Sequence, residues 1–142
     1  FNYKDYIMSI WNKLQYFTKK ENWGNPDKID PALLFVLDAV RDRVGHSFII
    51  NCAYKTAGHT PKSQHYQGKA ADFYVKGIPF KEAFAKITAA LEELGIADQV
   101  GFGVYPQWRL PGFHLDVRGT KARWGFADGA YVSLEHAMSK AK

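Results

Sequence analysis

Apolar and polar positions follow two different periods along the chain, and the switches between them mark its elements. Over residues 3 to 17, Tyr6, Ile7, Ile10, Trp11, Leu14 and Phe17 recur at spacings of three and four, the pattern of one apolar helix face. Thr18 and Glu21 match the Ser/Thr-x-x-Glu capping box, but Gly24 and Pro26 predict that any helix started there is brief. Asp30 followed by Pro31 is a strong helix start: an acid to cap, then a residue whose missing N–H costs nothing at the first position. Leu33, Leu34, Leu37, Val40 and Val44 continue that helix, and Gly45 is placed to end it as a left-handed cap.

Residues 47 to 52 form a short β-branched apolar run, a predicted strand, followed by a long polar loop containing Gly58 and Pro61. A second strand is predicted over 70 to 75, then a helix from Pro79 through Phe80, Phe84, Ile87, Leu91 and Leu94 to a Gly95 cap. Two further strands, 99 to 105 and 112 to 118, flank a loop with Pro106, Trp108 and Pro111 and are expected to pair as a hairpin. The last 24 residues are expected to be a tail with a short helix near 133 to 141. With no internal repeat or low-complexity linker, the expectation is a single α+β domain over residues 1–142, its helices packed on a central antiparallel sheet.

Composition narrows this picture only a little. A chain of 142 residues can bury roughly 68% of its unfolded surface, so it needs no disulfide or structural metal to fold. The single cysteine, Cys52, excludes an intramolecular disulfide. No apolar run approaches the roughly 20 residues of a membrane span, and the start lacks the layout of a signal peptide. The first residue is Phe1 rather than Met, as expected of a trimmed or processed chain. A net charge of +5 could steer the protein to anionic polymers, but the lysines are scattered in short clusters such as Lys19–Lys20, so nucleic acid is not an expected partner.

Catalytic zinc commonly takes three ligands from His, Asp, Glu and Cys and keeps a fourth position for water. His65 and Asp72 lie seven residues apart, one in the loop and one within a predicted strand, with Gly68 between them to turn the chain. His114 and Asp116 share one face of the hairpin strand, because strand side chains repeat every two residues. Taken singly, each histidine is an ordinary loop or strand residue, and each aspartate fits the polar face of an amphipathic strand. Charged groups inside apolar strands are rarely buried unless paired or metal-bound, so a metal site stands as the alternative to those plain readings.

The stretch Ser63-Gln64-His65-Tyr66-Gln67-Gly68-Lys69-Ala70-Ala71-Asp72 resembles the Ser-x-His-x-x-Gly-x-Ala-x-Asp signature of the zinc D-alanyl-D-alanine carboxypeptidase family. That family shares its fold with D-Ala-D-Ala dipeptidases, phage L-alanyl-D-glutamate endolysins and the Hedgehog signalling domain. Gly101-Phe102-Gly103-Val104-Tyr105-Pro106 and Gly112-Phe113-His114-Leu115-Asp116-Val117-Arg118-Gly119 are similar to its second block, and the likeness runs from about Phe17 to Trp124. The resemblance implies one Zn2+ per chain held by His65, Asp72 and His114, in a Hedgehog/D,D-peptidase-like fold, with Ser63 orienting neighbouring groups.

Two departures stand out. Where many relatives read Ser-Gly-Tyr-Arg, with the arginine gripping substrate, this chain has Cys52-Ala53-Tyr54-Lys55. Lysine keeps the charge and loses the bidentate fork. The acid that serves as base three residues before the last histidine in the dipeptidase and endolysin branches is Pro111 here. Asp116 is the nearest substitute, as a base or as a partner to a histidine ring N–H.

The function expected from the resemblance is metal-assisted hydrolysis of peptidoglycan stem peptides by a monomer, of carboxypeptidase or endolysin type. Asp116 relays a proton to the leaving amine, Lys55 grips the peptide, and Tyr54, Ser63, Tyr105 and Trp108 line the groove. His59 is a candidate to stabilise the tetrahedral intermediate, whereas His46 and His136 are expected on the surface. The place of action would be the bacterial cell envelope or, for a phage-encoded protein, the host wall. The alternative is an inactive zinc-binding module, as in the Hedgehog branch.

Overall fold

The computed structural model describes residues 1–58, 60 and 62–142, without the side chain of Ile7. His59 and Pro61 therefore lie outside the described residues, and with them the role expected of His59. Helix α1 (Tyr3–Lys13) leads to α2 (Pro31–Val44), then strands β1 (Phe48–Cys52) and β2 (Ala70–Val75). Helix α3 (Phe80–Glu93), strands β3 (Gly101–Tyr105), β4 (Gly112–Asp116), β5 (Ala122–Ala127) and β6 (Ala130–Val132), and helix α4 (Leu134–Ser139) complete the chain. The six strands form one sheet in the order β1-β2-β4-β3-β5-β6. All neighbours are antiparallel except β3 and β5, which run parallel. This is an α+β fold, mostly antiparallel.

The caps behave as their chemistry requires. The Asp30 carboxylate accepts from the Ala32 N–H at 2.8 Å, and Gly45 closes α2 at φ 77°. Helix α1 is shorter than its apolar spacing predicts. The N–H groups of Gln15 and Tyr16 are taken by the Asp38 carboxylate at 3.0 and 2.9 Å, which pulls the chain out of the helix, while Phe17 still packs in the core. Glu21 does reach back to the Thr18 N–H, at 2.7 Å, but only a turn follows.

Period-two alternation gives the sheet two distinct faces. Ala71, Phe73, Phe102, Val104, Phe113 and Leu115 are buried on one, where Phe80 and Phe84 of α3 stack on Phe113 and Phe102. The other face carries Asp72, Gly103 and His114, aligned by the registers Asp72↔His114 and Gly103↔His114. A bulge between Ile50 and Cys52 shifts the β1 register and sets Cys52 opposite Asp72.

The final segment departs from expectation: it contains β5 and β6 as well as α4. Helix α4 lies against β5 so closely that a Cβ on Gly125 would collide with Ala137. No helix among the described residues is long and apolar enough to cross a membrane.

Candidate metal centre

The loop after β1 delivers His65 by backbone contacts. Ala53 is fully buried, the Tyr54 N–H donates to the Trp23 carbonyl at 2.8 Å, and the Lys55 N–H donates to the His65 carbonyl at 3.3 Å. His65 sits in a single 3₁₀ turn, Gln64–Gln67, capped by Ser63 Oγ, which accepts from the His65 N–H at 3.2 Å. Gly68 ends that turn at φ 68°, and its carbonyl accepts from the Asp30 N–H at 2.9 Å. A Cβ on Gly68 would run into the Lys28 carbonyl oxygen, so only glycine lets the loop lie against the start of α2.

His65 and His114 are both buried, and each ring is fixed from behind. His65 Nδ1 lies 2.6 Å from the Ala53 carbonyl oxygen, an acceptor only, so Nδ1 carries the hydrogen and Nε2 is left with its lone pair. His114 Nε2 lies 2.7 Å from Asp116 Oδ2 and donates to it, which leaves Nδ1 free. The two free nitrogens face one oxygen, Asp72 Oδ1, at 3.3 Å from His65 and 3.0 Å from His114. All three ligand atoms lie within 4.8 Å of one another.

Three converging lone pairs with no donor among them require a cation or protons between them. Two imidazole nitrogens and one carboxylate oxygen, each ring held by an acceptor on its far side, form a donor set that could hold a metal ion and that suits zinc. With protons in that place, burial opposes charge on Asp72, yet hydrogen bonding across the cluster to His114 and His65 outweighs it and holds the carboxyl well below the usual range. Burial likewise opposes charge on His114, but Asp116 and Asp72 raise its pKa.

Of the two roles expected of Asp116, proton relay and partner to a histidine ring N–H, the geometry has the second. Its side chain is fully buried behind His114, on the ring edge away from Asp72. Both oxygens are occupied: Arg118 Nε donates to Oδ1 at 2.9 Å and Nη2 to Oδ2 at 2.7 Å, and the backbone N–H groups of Gly101 and Arg118 each donate to Oδ1 at 3.2 Å. Burial would raise its pKa, but Arg118 and His114 together push it well below the carboxylate range. A carboxylate so occupied holds His114 and is a poor base. Gly101 makes this possible, because a Cβ there would meet the Asp116 oxygens at 2.5 and 2.6 Å.

The three candidate ligand residues line an open cleft of about 660 Å³. Of the side chains expected there, Lys55, Ser63, Tyr105 and Trp108 are on its wall. Tyr54 is not on that wall and packs against the core instead. Tyr105 and Trp108 stack with ring centroids 4.2 Å apart, so Trp108 is half-buried rather than free. His136 is exposed as expected, and His46 is half-buried beside Gly77.

Sequence reasoning missed Arg118, Trp124 and Tyr131, all on the wall. The ring of Trp124 lies 4.9 Å from that of His114 and 5.2 Å from the Arg118 guanidinium. Arg118 had a signal, since it follows Asp116 by two residues and extends the His114 face. Trp124 and Tyr131 had none without β5 and β6.

A family model for Peptidase M15 matches residues 12–109, a span that includes His65 and Asp72 and ends before His114. No curated protein and no solved structure matches the chain.

Proposed function

The chain belongs to the peptidase M15 family of zinc metallopeptidases, and from that premise we propose that it hydrolyses amide bonds in bacterial peptidoglycan stem peptides. One observation carries the reading: His65 Nε2, Asp72 Oδ1 and His114 Nδ1 converge, with both histidine tautomers set from behind by Ala53 and Asp116. We assign these three side chains as the zinc ligands. When bound, the metal supplies Lewis acidity, which acidifies water and polarises a carbonyl.

The chain's own groups do the rest. Lys55 and Lys62 place two ammonium groups on the cleft wall, and among the described lining residues Asp72 is the only carboxylate. A peptide bearing a free carboxylate suits that field, as a stem peptide ending in D-alanine or containing D-glutamate does. Ser63 holds the His65 turn, while Trp108 and Tyr105 offer an aromatic wall to the peptide. The place of action would be the bacterial envelope or, for a phage-encoded protein, the host wall.

Elemental mass spectrometry of wild type, His65→Ala, Asp72→Ala and His114→Ala tests the metal. The expected result is about one zinc per chain in wild type and none in the variants. Stem-peptide hydrolysis that stops with chelator and returns with zinc supports the activity. Zinc binding without hydrolysis of any wall peptide would favour a binding module instead, a reading motivated by Pro111 standing where relatives have an acid.

A further inference from the structure

Amide hydrolysis places negative charge on the carbonyl oxygen as the carbon becomes tetrahedral, and donors aimed at that oxygen are often the largest catalytic contribution. The arginine that grips substrate in many relatives is Lys55 here, on an exposed loop. Another group is built more rigidly. Tyr105 follows Gly103 by two residues on β3, so its phenol rises from the same sheet face as His114.

The Trp124 indole N–H, a donor only, is 2.9 Å from the Tyr105 hydroxyl oxygen. That contact uses a phenol lone pair and leaves the phenol's single hydrogen to point elsewhere. The exposed Tyr131 hydroxyl is the competing partner for that hydrogen, but its hydrogen bonding is the smallest of the influences on the phenol's pKa, and a substrate oxygen entering the open cleft can replace it. Stacking on Trp108 fixes the ring plane, and the Trp124 ring bridges from His114 to the hydroxyl. The bridge needs Gly103, where a Cβ would meet the indole Nε1 at 2.5 Å.

We propose that Tyr105 is a catalytic hydrogen-bond donor to the carbonyl oxygen of the scissile amide, and that Trp124 is the positioning residue that aims it. The inference rests on the peptidase reading of the cleft. As the water oxygen bonds to the carbonyl carbon, the π pair moves to the carbonyl oxygen, which accepts the Tyr105 O–H without taking its proton. When that pair returns, the C–N bond breaks and one proton of the water ends on the leaving nitrogen. Burial, the largest influence on the phenol, pushes its pKa up to about 12, so it stays a donor at any pH where the fold works.

The test compares zinc-loaded wild type, Tyr105→Phe and Trp124→Phe. Zinc content, stem-peptide kinetics and calorimetric affinity for phosphinic analogues of D-Ala-D-Ala and L-Ala-D-Glu, which imitate the charged tetrahedral carbon, are the readouts. Tyr105→Phe is expected to keep zinc and KM while kcat and phosphinate affinity both fall by ~10²–10³-fold. Trp124→Phe keeps the phenol but frees it, and both readouts should fall by about tenfold.

Unchanged kcat and phosphinate affinity in Tyr105→Phe would overturn the proposal. So would loss of zinc or of folding in that variant, or failure of zinc-loaded wild type to bind either phosphinate. A wild type that binds zinc and phosphinate but cleaves no peptide defeats the peptidase reading, and the phosphinate comparison then still decides whether Tyr105 is the donor.

Discussion

His65 and His114 turn the same kind of lone pair toward Asp72, but they are held by opposite means. His65 stands in a loop whose restraints are almost all backbone: the Ala53 carbonyl behind its ring, the Asp30–Gly68 and Lys55–His65 hydrogen bonds, and a glycine pressed against Lys28. His114 stands in the middle of the sheet and leans on side chains, Asp116 and then Arg118. A backbone restraint is indifferent to most substitutions but intolerant of added volume. A side-chain restraint can be tuned by changing one atom. The two walls of one cleft should therefore fail in different ways.

Gly68→Ala should have the largest effect and break the loop wall as a whole. A left-handed alanine with its Cβ against a carbonyl is expected to cost about 3 kcal/mol. Urea unfolding would measure the loss, and zinc affinity should drop with it because His65 moves.

Asp116→Asn should act on the strand wall alone. The amide that replaces the carboxylate can no longer compel His114 to donate from Nε2, so zinc affinity is expected to fall about 10–100-fold in competition titrations with a chelator. Stability should fall by about 2 kcal/mol, less than for a fully enclosed pair because Arg118 is partly exposed. Its pH dependence has a definite sign. The folded-state pKa of Asp116 is depressed, so its contribution is complete above the ordinary carboxylate pKa of about 4 and is lost as pH falls toward the depressed value. The gap between metal-free wild type and Asp116→Asn should thus narrow steadily below about pH 4, and a gap that widened would contradict the arrangement.

Ser63→Ala should be mildest. It removes one cap from a turn that backbone bonds already hold, at about 1 kcal/mol or less by thermal denaturation, with zinc content intact.

Much of this fold is legible in the chain because local chemistry and packing agree. Helix α2 announces itself with Asp30, Pro31 and Gly45, and β2 with an apolar run interrupted by one acid. Strand β5 is hidden because its pattern is inverted. Its bulky residues, Trp124 and Phe126, lie on the cleft side, whereas the core side has Gly125 and Ala127, kept small by the approach of α4. Read by period alone, such a segment resembles a tail. The cluster of His65, Asp72 and His114 that the structure brings together was legible from the resemblance, whereas spacing alone left the plain readings open. Asp116 was left between two roles, because strand parity says which face a side chain takes, not which edge of an imidazole it meets.

The strand order carries a consequence in time. Strand β5 does not continue beyond β4 but crosses over to lie beside β3. Because a chain is synthesised from its N-terminus, His65, Asp72, His114 and the Asp116–Arg118 pair have all emerged before Trp124 and Tyr131. During synthesis the groups proposed to hold the metal come first, and the aromatic wall that would face the peptide is added last, over a pocket floor that two glycines have kept clear.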